Sequence, residues 1–342
     1  VKKIKTEKAL GLMICHDITK IVPGEFKGRA FKKGHIITEE DIPQLLTLGK
    51  EHIYVWEEQD KMLHEDDAAR RLAMSISGQG IKLTEPNQGK INLVAETDGL
   101  LKVNSELLGE LNAIDQLAVA TLHNSRLVKA GEVVAGTRVI PLVIDEQKII
   151  QAEALLAGHE PQLVRVLPLK SLVAGMVTTG NEVYFGRIKD AFGPAVKNKL
   201  AEYGCTLMEQ VFTPDNQEVI ARAVADLRAK GVEMILVTGG MSVDPDDNTP
   251  AAIRATGAEI ISYGSPVLPG SMLLLAYYDK IPVLGLPGCV MYSKTTVFDL
   301  VLPRILAGER LSKQDIAMLG HGGLCLDCPE CVFPHCSFGK GR

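Results

Sequence analysis

The chain has no uninterrupted apolar stretch of membrane-spanning length, and its opening residues VKKIKTEKAL lack the apolar region of a signal peptide. Neither a bilayer-spanning helix nor secretion is expected. Aromatic residues are scarce at 5%, tryptophan occurs once, and the formal charge is -5 with no basic stripe among aromatics. A nucleic-acid footprint is therefore not expected, which leaves a small molecule as the preferred partner and the cytoplasm as the default compartment. What is present is ordinary for a soluble globular protein. The 342 residues are 46% hydrophobic and 23% charged, enough for two or three domains.

The most informative stretch is VEMILVTGGMSVDPDDNT, from Val232 to Thr249. The short apolar run Met234 to Val237, bounded by glycines, suits a strand covered on both faces of a parallel sheet. Gly239 and Gly240 at its carboxyl end let backbone N–H groups approach phosphate oxygens, while Asp244, Asp246 and Asp247 suit a divalent cation that accompanies the phosphate. A solvated loop leading into a helix at Thr249–Pro250 is the plainer alternative. Two further strands end in polar turns: LVAGMVTTGNEV (Leu172 to Val183) and KIPVLGLPGCVMY (Lys280 to Tyr292). Between them lie GRIKDAF (Gly186 to Phe192) and VLPGSM (Val267 to Met272). In a doubly wound, mostly parallel α/β sheet such turns converge at the strands' carboxyl ends, where ligands bind.

Helical patterns alternate with these strands, as that fold requires. Phe192, Val196 and Leu200 recur at four-residue spacing. Asp215-x-x-Glu218 reads as a capping box before a core stripe of Val219, Ile220, Ala223, Val224 and Leu227. A further apolar stripe includes Val297, Leu300, Val301 and Ile305.

In their order along the chain, these segments resemble the molybdopterin-binding domain shared by molybdopterin molybdenumtransferases (molybdenum insertases) and molybdopterin adenylyltransferases. TTGNEV is similar to the family's Thr-Gly-Asp-Glu-Leu turn, with Glu182 on its glutamate and Asn181 replacing its aspartate. GRIKDAF keeps the aspartate of Gly-x-Ile-x-Asp-Ser-Asn at Asp190, and Asp247 falls on the family's acidic position. GLPG at Gly285 to Gly288 matches, with Cys289 and Val290 where asparagine and proline usually follow. VLPGSM keeps Pro269 and Gly270 and has Ser271 where lysine is common. The resemblance spans about residues 165 to 308 and stops short of the insertases' Met-Asp-Gly-Tyr-Ala motif, which has no match here.

The resemblance implies binding of molybdopterin or adenylyl-molybdopterin, with Glu182, Asp190 and Asp247 as the chemical set and Mg2+ positioned by Asp247 and Glu182. Thr179, Gly180, Gly239, Gly240, Ser242, Pro269, Gly270, Gly285, Pro287 and Gly288 would line the cofactor. It implies a transferase of molybdenum cofactor biosynthesis that inserts molybdate with release of AMP. The alternatives are a non-catalytic cofactor carrier or sensor and adenylyl transfer to molybdopterin. Expected partners are the pterin, molybdate, a second copy of the chain, and a molybdoenzyme or another cofactor-biosynthesis protein.

Elsewhere, residues 1–60 read as a mixed α/β module with a helix near Glu39 to Leu48, Thr38 as its N-cap, a Gly49 stop and a strand His52 to Trp56. Residues 61–90 form a helical connection, 91–165 a β-rich module, 166–310 the α/β domain and 311–342 a cysteine-rich tail. Four of the seven cysteines fall at 325, 328, 331 and 336. In a reducing compartment this spacing points to metal, with an iron–sulfur cluster, Zn2+ and redox or unliganded thiols as the options. Cys15 and Cys205 read as packed small hydrophobes. Cys289, after a glycine turn near a helix N-terminus, has a setting that favours thiolate, though packing is the weightier reading.

Overall fold

The computed structural model describes residues 2–22, 26–55, 61–241 and 247–341. It divides into two compact units, one of residues 1–96, 103–122 and 131–165, the other of 97–102, 123–130 and 166–342. Among the described residues no helix is long and apolar enough to cross a membrane.

The first unit contains small antiparallel sheets. Lys2–Lys5 pairs with His52–Val55, and Ile18–Val22 with Phe26–Phe31. A four-stranded sheet orders Ile81–Leu83, Lys90–Ala95, Val133–Val139 and Leu117–Thr121. Helix Glu65–Ile76 buries Ala68, Ala69, Leu72, Ala73 and Ile76, and the His64 side chain caps it by accepting from the Asp66 amide. The expected helix near Glu39 is shorter, Asp41–Thr47, and Thr38 does not cap it. Instead the Asp41 carboxylate accepts from the Thr38 amide and hydroxyl, both at 2.8 Å. Gly49, at φ +74°, follows the helix as expected. Trp56 lies outside the described residues.

The second unit holds six strands: β1 Val173–Thr179, β2 Thr206–Thr213, β3 Met234–Thr238, β4 Glu259–Tyr263, β5 Leu274–Tyr278 and β6 Ile281–Leu286. Their order is β2-β1-β3-β6-β5-β4. Pairings from β2 to β6 are parallel, and only β5 runs against the others. The helices are α1 Asn181–Tyr184, α2 Phe192–Glu202, α3 Gln217–Ala229, α4 Thr249–Ala255, α5 Val297–Leu306 and α6 Lys313–Met318.

The near-continuous apolar strands are explained by two cores, one on each face. Along β3, Met234 and Leu236 enter one core while Ile235 and Val237 enter the other. Helices α2 and α5 cover the first through Val196, Leu200, Val297, Val301 and Ile305. Helices α3 and α4 cover the second through Ile220, Val224, Leu227 and Ile253. Each fully buried side chain of this size contributes roughly 1.5–3 kcal/mol, so the period-two pattern specifies both register and double winding. Val219, expected on the core stripe, is instead 40% exposed. Its position on α3 turns away from the sheet, because the core face is set by Ile220, Ala223, Val224 and Leu227.

From β1 the chain moves to the edge strand β2, then crosses back to β3 on the opposite side of β1. The connections therefore part at the carboxyl ends of β1 and β3, which opens a crevice there.

Candidate functional site

At that edge the strands end in buried threonines, whose hydroxyls join neighbouring strand ends. Thr238 Oγ1 donates to Thr178 Oγ1 at 3.1 Å, and Gln210 Nε2 reaches Thr178 Oγ1 at 2.9 Å. Beyond β3, Gly239 has φ +84°, and a Cβ there would lie 2.0 Å from the Thr179 carbonyl oxygen. Only glycine lets β3 leave the sheet this close to β1. Thr249 Oγ1 donates to the Gly239 carbonyl at 2.9 Å, which ties the start of α4 to the same turn.

The cleft that results has a volume of about 480 Å³. Its walls include Gly239, Gly240 and Met241 after β3, Asp247 before α4, Pro269, Gly270 and Ser271 before β5, and Pro287, Gly288 and Cys289 after β6. The β5 loop is held by the Val297 amide donating to the Pro269 carbonyl at 3.1 Å and by Ser265 Oγ donating to the Gly270 carbonyl at 3.0 Å. Asp247 is the one carboxylate among the described residues of the wall. Its charge, after burial, raises the Tyr263 phenol pKa.

The other expected residues lie around this cleft in different ways. Gly285, within β6, is not a wall residue; a Cβ there would meet Met241 Sδ at 2.7 Å, so its smallness seats Met241. Thr179 and Gly180 end β1, and Thr179 Oγ1 donates to Asp215 at 2.9 Å. Glu182 on α1 is exposed and is not part of the wall. Asp190 accepts from the amides of Phe192 and Gly193 at 2.9 and 3.0 Å and from Gln210 Nε2 at 2.7 Å. It thereby satisfies the first amides of α2 from the residue before its N-cap and bonds that helix start to β2. Ser242, Asp244 and Asp246 lie outside the described residues.

Asp215 does not cap α3. The cap is Asn216, whose Oδ1 accepts from the amides of Glu218 and Val219 at 3.0 and 3.1 Å. Asp215 faces the other way and accepts from the Asn181 amide at 2.9 Å, fixing the turn after β1. Gln210 and Met241 escaped the sequence reading; a polar residue within strand β2 is the only signal Gln210 offers. Burial, with a smaller contribution from Asp299, raises the Cys289 thiol pKa, so the thiolate setting expected near that helix start is not realised. Cys15 and Cys205 are buried, and burial pushes Cys15 up to about 11.

Cys325, Cys328, Cys331 and Cys336 line a second cavity in the same unit. Among the described residues no three His, Cys, Asp or Glu side chains converge closely enough to share a metal ion. Mg2+, however, is commonly held by one or two carboxylates together with substrate phosphates rather than by an all-protein cage. Asp247 in a glycine-walled cleft fits that mode.

Fold and cleft together define a doubly wound α/β domain with an open cleft at its switch point. Residues 175–307 match the model of a probable molybdopterin binding domain. Residues 3–57 match a domain of unknown function (DUF8806). The chain is 28% identical over 178 residues to a molybdopterin molybdenumtransferase of Synechococcus elongatus, covering 49% of this chain and 44% of that protein. It is 37% identical over 89 residues to a CinA-like protein of a Mycobacterium species, covering 26% and 21%. The chain thus spans less than half the length of these curated relatives. The crystal structure of the molybdopterin biosynthesis enzyme MoaB from Thermus thermophilus shares 21% identity, covering 40% of this chain and 98% of that one, at a TM-score of 0.33.

Proposed function

We propose that the second unit binds molybdopterin or its adenylylated form in the cleft and acts in molybdenum cofactor biosynthesis, exchanging AMP for molybdate as an insertase does. The carrying observation is the gathering of Gly239, Gly240, Pro269, Gly270, Pro287, Gly288 and Asp247 around one cleft, inside the segment that matches the family. The glycine turns offer backbone N–H groups to pyrophosphate oxygens without side-chain obstruction. Asp247, with Glu182 as the second carboxylate, would hold Mg2+, which when bound offsets phosphate charge and eases P–O cleavage. Asp190 and Asp215 position the walls, α2 and the β1 turn respectively. Catalysis here is positioning and electrostatics, and requires no side-chain nucleophile. Self-association and delivery to a molybdoenzyme or another cofactor-biosynthesis protein belong to the same reading.

A carrier that binds the pterin without turnover is favoured by one observation, the exposure of Glu182 outside the cleft wall. Incubation with adenylylated molybdopterin, molybdate and Mg2+ separates the two. AMP and molybdenum cofactor appearing together support the insertase; tight binding without either product supports the carrier. Asp247→Ala is expected to reduce AMP release at least a hundredfold with an unchanged melting temperature, and unaltered turnover would remove Asp247 from the site.

A further inference from the structure

After α6 the chain returns along the second unit and borders a half-open cavity of about 720 Å³. Cys325, Cys328, Cys331 and Cys336 all line it, and none forms a disulfide. A free cysteine is ordinarily a buried small hydrophobe, as Cys205 is here. Packing accounts for only part of the tail. Cys325 and Cys336 rest against the core, but Cys328 and Cys331 are exposed. Four soft donors around one chamber, two of them without a packing role, form the ligand set typical of thiolate-bound zinc or iron.

We propose that this chamber is a metal site in which the thiolates of Cys325, Cys328, Cys331 and Cys336 hold a soft metal, as a zinc ion or as the iron of an iron–sulfur cluster. The site is independent of the pterin reading. The sulfurs surround the chamber without converging, so loading draws the segment inward, with each thiol giving its proton to solvent as its sulfur donates an electron pair to the metal. The backbone around the chamber is anchored at several points. The Cys325 amide donates to the Leu268 carbonyl at 2.8 Å, the His335 amide to the Val332 carbonyl at 2.7 Å, and Lys294 Nζ to the Pro329 carbonyl at 3.0 Å. Between these anchors stand the exposed Cys328 and Cys331. The chamber also shares Leu268, Pro269 and Tyr292 with the cleft at the sheet edge.

The test uses the full chain purified without oxygen, with metal and acid-labile sulfide quantified as isolated and after addition of either Zn2+ or a preassembled iron–sulfur cluster. The expected result is about one zinc ion or one cluster per chain, with alkylation of Cys328 and Cys331 slowed at least tenfold until a chelator is added. Zinc without sulfide identifies the ion; iron with equimolar sulfide identifies the cluster. In the Cys328→Ser/Cys331→Ser variant, which changes only exposed side chains, metal retention should fall at least tenfold with the melting temperature of the metal-free protein unchanged. The proposal is overturned by failure to load by either route in protein that melts cooperatively, by equal loading of the variant, or by thiols that alkylate equally fast with and without metal.

Discussion

Gly239 shows how much one residue can determine at this sheet edge. With φ +84° and a Cβ position 2.0 Å from the Thr179 carbonyl, Gly239→Ala combines backbone strain with a clash against backbone. It should cost about 2–4 kcal/mol in chemical denaturation; a loss under about 0.5 kcal/mol would mean that β1 and β3 do not meet this closely. In the first unit, Glu65 is only 8% exposed. Burial, then the neighbouring Asp66, raises its carboxyl from 4.5 to about 7, against the opposing pull of Arg138 and Lys33. Because the folded state keeps this proton to higher pH than the unfolded chain, stability falls as pH rises from about 4.5 to 7, and the penalty is complete above that window. Glu65→Gln is therefore expected to raise stability at pH 8 by about 1–3 kcal/mol, with the gain fading toward pH 5. Melting curves across this range check it, and a gain independent of pH would contradict the assignment.

At the scale of elements, neighbouring residues of one turn have separate tasks. Asn216 completes α3, so Asn216→Ala should cost about 1 kcal/mol of stability and leave pterin affinity unchanged. Asp215 holds Thr179 and the Asn181 amide, so Asp215→Ala should weaken pterin binding by loosening the β1 turn. Titration calorimetry beside denaturation distinguishes them, and identical profiles for the two variants would refute this division. Helix α5 has a complete capping box, with the Thr296 hydroxyl accepting from the Phe298 amide at 3.2 Å and Asp299 accepting from the Thr296 amide at 2.7 Å. Asp299 also pairs with Lys199 of α2, which joins two helices on the same face of the sheet.

For the molecule as a whole, the tail belongs to the fold of the second unit. Phe338 is 3% exposed within the core that α2 and α5 cover. Phe338→Ala should lower stability by about 3–5 kcal/mol, whereas a tail that merely hung from the domain would tolerate it; thermal denaturation decides.

The doubly wound sheet was legible in the sequence because strands covered on both faces must be apolar throughout, and helices of 3.6-residue period must separate parallel strands. The cleft's glycine turns were legible for a related reason: a glycine at a strand's carboxyl end leaves a chemical signature in one short segment. The uses of Asp190, Asp215 and Asn216 were not, since all three are short polar residues near helix starts, and spacing alone does not say which amide each accepts from. Nor does spacing reveal that Phe338 enters the core or that four tail cysteines share a chamber bordering the cleft. By itself, then, the sequence determined the periodic features: the strands, the helix faces and the order of the turns. Tertiary structure decided the partners, because hydrogen bonds, burial and shared cavity walls depend on distances between segments far apart in the chain, which local period does not encode.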